Sequence, residues 1–240
     1  MRKEGKDECE AFARQLGMQS RKTGLLEEAF THRSYLNEHP DWPHAHNERL
    51  EYLGDAVLEL AVSEHLFQKF PQAPEGELTV LRASLVNYQI LARVAAELDL
   101  GKYIHMSRSE MKDTGRAREV ILANAFEALV GALYLEESFV FVERFVLQYV
   151  VTPHIEEILK TKSYRDPKSE LQELAQEKER ITPIYRILSE SGPAHNREFR
   201  AGAYIGEELV GEGMGPSKQE AEVAAAKAAL TRILPKKQRT

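Results

Sequence analysis

The segment from His46 to Leu60, HNERLEYLGDAVLEL, constrains the fold more than any other part of the chain. At 100° per residue Glu48, Glu51 and Asp55 fall in one stripe about 60° wide, with Glu59 at its margin. Leu50, Tyr52, Leu53, Ala56, Val57, Leu58, Leu60, Ala61 and Val62 cover most of the remaining circumference. A helix apolar nearly all round is expected inside a core, where unpaired carboxylates are costly. A second segment, ILANAFEALVGALYLEE (121–137), is equally apolar, and its polar insertions Asn124 and Glu127 share a face by their i, i+3 spacing. Two such helices can bring their oxygen ligands to one point. No Lys or Arg lies in either row, so the charge calls for a cation. A hard divalent ion, Mg2+ or Mn2+, suits an all-oxygen donor set, and a site of that kind points to phosphoryl chemistry. Glu48 also opens its helix, where the N-terminal partial charge favours an acid whatever its function.

At 240 residues, 42% hydrophobic and 29% charged, the chain has room for one large domain or two of ordinary size. No run approaches a transmembrane length, and the charged start MRKEGKDECE lacks the apolar region of a signal peptide, so no membrane partner is expected. A single cysteine, Cys9, excludes an intrachain disulfide framework and a Cys-based zinc cluster. The expected location is the cytoplasm. His44 and His46 form a His-x-His pair that could bind zinc, but no third ligand of the right kind is apparent. These histidines and His39 are therefore read as structural or solvated.

The net charge of −6 does not announce a nucleic-acid binder, but it is unevenly spread. From Pro167 to the end there are 12 Lys+Arg against 11 Asp+Glu, leaving 20 against 27 before it. Such asymmetry hints at two modules with different tasks. The first reads as all-helical, with amphipathic or apolar stretches at 8–17, 24–36, 46–69, 78–98, 117–136 and 139–159. The polar segment 160–166 is the expected linker between a domain at 1–159 and one at 167–236. In the second, the pattern shifts to a helix from Lys168 to Gln176, three strands at 183–190, 197–205 and 208–215, and an Ala-rich helix from Ser217. Ser217 and Glu220 have the spacing of a capping box. The fold class is thus multidomain, an all-α domain followed by an α-β-β-β-α unit.

NERLEYLGDAVLEL resembles the signature of the ribonuclease III family, usually written with Phe or Tyr in its sixth position. AFTHRSY (29–35), PEGELTVLRASLVN (74–87) and REVILANAFEALVGALYLE (118–136) match in order and spacing. The C-terminal unit is similar to a double-stranded-RNA-binding domain, with GPAH in its first loop and SKQEAEVAAAKAAL at its last helix.

The resemblance implies a homodimeric, metal-dependent endoribonuclease that leaves staggered duplexes with 5′-phosphates and 3′-hydroxyls and processes ribosomal and messenger RNA. It implies Glu51, Asp55, Asn124 and Glu127 as ligands of Mg2+, with Mn2+ able to substitute, and Asp55 and Glu127 as the catalytic pair. Glu48 and Glu75 match supporting acids. Tyr52 matches the aromatic that inserts into the partner subunit. In the RNA-binding unit Ser169, Gln172, Glu173 and Gln176 would face one minor groove, His195 the next, and Ser217 and Lys218 the intervening phosphates. Two departures stand out. Asn124 occupies a position where Asp is common, removing one negative charge, and Gln219 stands where a second Lys is common. The alternative is a weakly active or inactive duplex-RNA-binding protein that retains the nuclease fold. A hydrolase of small phosphate esters would fit the first domain but leaves the second unexplained.

Overall fold

The computed structural model describes residues 3–18, 24–161, 166–193 and 197–233. Among the described residues nine α-helices fill the first part: α1 (Lys3–Gln15), α2 (Gly24–Ala29), α3 (Arg33–Glu38), α4 (Glu48–Lys69), α5 (Glu75–Leu85), α6 (Tyr88–Glu97), α7 (Arg116–Glu136), α8 (Phe139–Val146) and α9 (Thr152–Thr161). The two apolar segments become the long helices α4 and α7. These pack on each other, and α6 covers another side of α7. Ala125, Phe126, Ala128, Leu129, Val130, Ala132 and Leu133 of α7 are fully buried, so the middle of this helix is apolar all round because it is enclosed, while Val120, Tyr134 and Leu135 nearer its ends are exposed.

α4 is not enclosed. Leu50, Val57, Leu58, Ala61, Val62 and Leu66 face the core, but Tyr52, Leu60 and Phe67 are exposed, Tyr52 at 83%. Ala56 is exposed between them. The expectation of a fully buried helix is corrected here. The residues at 52, 56, 60 and 67 lie along one side of the helix and leave an apolar stripe in solvent.

Two expected helices are each divided, and each break has a local cause. Thr31 leaves helical geometry to bridge His105, and the His32 ring then accepts from the Ser34 N–H to cap α3. Asn87 caps α6 by accepting from the Ile90 N–H at 3.1 Å. Between α8 and α9 the chain stays helical through a π-helical stretch, Leu147–Val151, just before Pro153. Thr31 itself is buried, donates to the Glu27 carbonyl at 2.6 Å and accepts from the Trp42 indole at 3.1 Å. The loop 39–46 is held by these bonds and by the contact of the His44 ring with the Glu27 carboxylate, which places His44 as structural.

The chain divides into two units, Met1–Tyr164 and Arg165–Thr240. The second contains α10 (Pro167–Glu179), β1 (Ile184–Ser191), β2 (Glu198–Ile205), β3 (Glu208–Gly215) and α11 (Lys218–Ile233). The strands form an antiparallel sheet in the order β1-β2-β3. Asp166 caps α10, with Pro167 at its first position. Ser217 accepts from the Glu220 N–H at 3.2 Å and donates to its carboxylate, completing the capping box. The Ala-rich helix has a specific reason to be small. A Cβ on Gly213 would stand 2.2 Å from the Ala225 nitrogen, and one on Gly211 2.4 Å from the Ala225 oxygen and the Ala229 nitrogen. Strand and helix backbones touch directly. Among the described residues no helix is long and apolar enough to cross a membrane.

Candidate active site

α4 and α7 meet at a pair of glycines. A Cβ built on Gly54 would fall 1.7 Å from the Glu127 carbonyl oxygen and 2.9 Å from the Gly131 nitrogen. One built on Gly131 would fall 2.3 Å from the Leu50 oxygen. Backbone contact this close is open only to glycine. It sets residues 51 and 55 of α4 against residues 124 and 127 of α7.

Electrostatics follow from that crossing. Burial pushes the Glu127 carboxyl up to about 7, and repulsion from Asp55 and then Glu51 adds to it. Burial also raises Glu51, as do the nearby Glu48 and Asp55 carboxylates. The Asn124 amide opposes the rise by donating a hydrogen bond to Glu51. The structure therefore gathers Glu51, Asp55, Asn124 and Glu127 at one place. Asp55 is exposed, while Glu51, Asn124 and Glu127 are half-buried. The set is open to solvent on the Asp55 side.

Glu48 sits at the outer end of the row. It is exposed, contacts Arg33 at 3.3 Å and lies 3.8 Å from the His46 ring. Glu75 stands elsewhere. It accepts from Thr79 at 3.1 Å and lines a hollow of about 540 Å³ between α4 and α5, with Leu60, Phe67, Leu78 and Arg82. Glu59 is also drawn off toward Arg82, at 4.0 Å.

All donors at the crossing are oxygens, and burial with the neighbouring acids raises Glu127 and Glu51, which is the pattern a hard divalent cation relieves. Among the described residues no three His, Cys, Asp or Glu side chains are gathered tightly enough to hold a metal ion. A cation here would take few protein ligands and keep several waters, the habit of Mg2+. The donor set therefore fits that ion.

In the second unit Gln172, Glu173 and Gln176 are exposed on the side of α10 opposite the buried Leu171 and Ala175. Ser169 shares that exposure, but its hydroxyl donates to the capping Asp166 at 2.9 Å. Gln176 contacts Thr182 at 3.4 Å. Lys218 is exposed at the start of α11, with its ammonium 6.0 Å from the centre of the Phe199 ring. Ser217 is occupied in the capping box. His195 lies outside the described residues, as do 162–165 of the expected linker.

Sequence reasoning missed Gly54, Gly131 and Arg33. The glycines were legible as small residues in otherwise bulky helices. Arg33 belongs to a motif, AFTHRSY, that resembles the family but carries no charge pattern of its own.

Comparison with known proteins gives the same picture over most of the chain. Residues 22–154 match the family described as Ribonuclease-III-like, and residues 167–233 match the double-stranded RNA binding motif. The protein named Ribonuclease 3 in Bacillus cytotoxicus is 47% identical over 93% of this chain and 90% of its own length. Its namesake in Nitratiruptor is 44% identical over 93% of this chain and 96% of that protein. Among solved structures, one of the Campylobacter jejuni ribonuclease III nuclease domain concerns flexibility in a region involved in dimer formation. It superposes with a TM-score of 0.54 at 39% identity, over 61% of this chain and 98% of that one.

Proposed function

The chain belongs to the ribonuclease III family and is an endoribonuclease of double-stranded RNA, and we propose that Asp55 and Glu127 are its catalytic pair, with Glu51 and Asn124 completing a Mg2+ site. The observation that carries the assignment is the glycine-mediated crossing of α4 and α7, which places the four side chains within electrostatic or hydrogen-bonding reach. Mn2+ would serve in place of Mg2+.

A bound divalent ion supplies charge neutralisation for the phosphodiester and a more acidic water. The residues of the chain do the positioning. Asp55 and Glu127 present carboxylate oxygens from opposite sides of the crossing. Asn124 fixes Glu51 by its amide N–H, and its carbonyl oxygen remains as a neutral donor to the ion. Hydrolysis adds water across the P–O3′ bond, leaving a 5′-phosphate and a 3′-hydroxyl on staggered ends. Gln172, Glu173 and Gln176 offer polar groups for the 2′-hydroxyls of a minor groove, and Lys218 a charge for phosphates. Ser169, Ser217 and His195 complete that proposed surface, and Glu48 and Glu75 act as supporting acids.

The proposed assembly is a homodimer. It is supported by the solvent-exposed stripe of Tyr52, Ala56, Leu60 and Phe67 beside the hollow that Leu60 and Phe67 line, since large apolar side chains grouped in solvent favour association. It is also in line with the dimer-forming region named for the Campylobacter jejuni domain. Processing of ribosomal and messenger RNA in the cytoplasm is the proposed role.

The decisive test incubates the full chain and its Glu127→Ala variant with long duplex RNA and Mg2+. Cleavage abolished by the substitution supports the reading. Binding without cleavage by the unsubstituted chain would instead identify a binding protein that retains the nuclease fold.

A further inference from the structure

We propose that Arg33 is a substrate-positioning residue, which receives a phosphate of the RNA strand next to the catalytic carboxylates. The inference rests on the nuclease reading above and adds to it a contact from outside the carboxylate helices.

The backbone around Arg33 is fixed from two sides. The Asn47 N–H donates to the Thr31 carbonyl at 2.9 Å, and the His32 N–H donates to the His105 carbonyl at 2.9 Å. Asn47 immediately precedes α4, so the base of the arginine is stitched to the start of the helix that carries Glu51 and Asp55. Its head is not held in the same way. The side chain is 70% exposed and meets one oxygen of Glu48 at 3.3 Å, long for a hydrogen bond.

Glu48 is one turn from Glu51 and close enough to raise it. The guanidinium therefore stands at the solvent end of a row of acids, in a unit (residues 1–164) that carries seven more acidic than basic side chains. A polyanionic strand approaching that row meets repulsion from every carboxylate not neutralised. A cation on a rigid base offsets this at the edge of the site. An exposed, one-point ion pair contributes little, so exchange of Glu48 for phosphate costs little. The planar guanidinium can then grip two phosphate oxygens at once.

The test measures duplex-RNA affinity across a salt series and steady-state cleavage for the full-length chain, Arg33→Ala, Arg33→Lys and Arg14→Ala. Binding is measured with Ca2+ in place of Mg2+, and cleavage with Mg2+. Arg14 is a matched control, an equally exposed arginine in an ion pair with Glu10 inside α1. Arg33→Ala is expected to weaken binding 3- to 10-fold and to raise KM more than it lowers kcat. The slope of log K against log salt should fall by about one. Arg33→Lys should keep the slope and recover part of the affinity, and Arg14→Ala should match the unsubstituted chain. An Arg33→Ala variant with unchanged affinity and slope, or one no weaker than Arg14→Ala, overturns the proposal while leaving the nuclease reading intact. A loss of kcat with a lowered melting temperature and an unchanged slope would show a structural tie instead, and overturns it too. If the unsubstituted chain neither binds nor cuts duplex RNA, both readings fall together.

Discussion

Replacing Glu127 with Gln should stabilise the metal-free protein at alkaline pH while abolishing cleavage. The Glu127 carboxyl is raised from 4.5 to about 7 in the folded chain, by burial first and by Asp55 and Glu51 next. An acid whose pKa is raised by folding favours the fold in its protonated form. Its contribution is intact below pH 4.5, falls as pH rises from there to about 7, and levels off above. The full shift corresponds to about 3 kcal/mol at 1.36 kcal/mol per pH unit. Because the group is only half-buried, solvent screening reduces the expected effect to about 1–2 kcal/mol, or roughly 2–8 °C for a unit of this size. Trp42 is the only tryptophan in the chain and bonds to the buried Thr31, so its fluorescence follows unfolding of the nuclease unit alone. Melts in chelator from pH 4 to 9 should show the two proteins alike at pH 4 and Glu127→Gln ahead above pH 7. Added Mg2+ should then raise the original protein more than the variant. A pH-independent offset, or a variant less stable at pH 8, would refute the electrostatic account of the crossing.

Asn124→Asp exchanges a donor to Glu51 for a fourth acid, so the metal-free protein should lose about 1 kcal/mol while the Mg2+ midpoint for cleavage falls; identical Mg2+ titrations would mean the departure is neutral. Tyr52→Ala should raise the dimer dissociation constant about tenfold or more, as read by sedimentation, because it truncates the most exposed aromatic of the stripe; an unchanged constant removes Tyr52 from the interface. Gly213→Ala places a methyl 2.2 Å from the Ala225 nitrogen and should destabilise the RNA-binding unit by about 3 kcal/mol or more. Calorimetry should find its transition lowered with that of the nuclease unit unmoved; a normal melt would mean strand and helix can separate at little cost.

Helical and strand periodicities were legible because they rest on local chemistry. The capping box at Ser217 and the two apolar helices could be read residue by residue. The facing rows Glu51/Asp55 and Asn124/Glu127 were readable for the same reason, since a helix converts spacing into direction. What could not be read was depth. Periodicity makes Tyr52 and Phe126 equally apolar, but one is solvent-exposed and the other enclosed. A surface left for another chain and a surface buried by the same chain have the same composition. Arg33 was unreadable for a related reason, because its proximity to Glu48 depends on the Thr31–Asn47 bond between distant segments.

The two glycines explain how acids on two such apolar helices come to face one another. With side chains at 54 and 131 the α4 and α7 axes would have to move apart, and the carboxylates would gain water and lose mutual repulsion. Close approach does the reverse, and the raised Glu127, facing Asp55 and Glu51 across the crossing, is its signature. The fold therefore spends part of its packing energy on holding like charges together. At the proposed metal site a cation would return that energy, so affinity for the ion and instability without it would have one origin. It follows that a substitution which relaxes the crossing should weaken metal binding even when every carboxylate is retained. Gly131→Ala provides the case, since its methyl meets the Leu50 oxygen at 2.3 Å and none of the four site residues is altered. Mn2+ binding to this variant, followed by electron paramagnetic resonance at a temperature where circular dichroism reports a folded chain, should be at least tenfold weaker. Unchanged Mn2+ affinity would separate the crossing from the site and leave the glycines a packing role only.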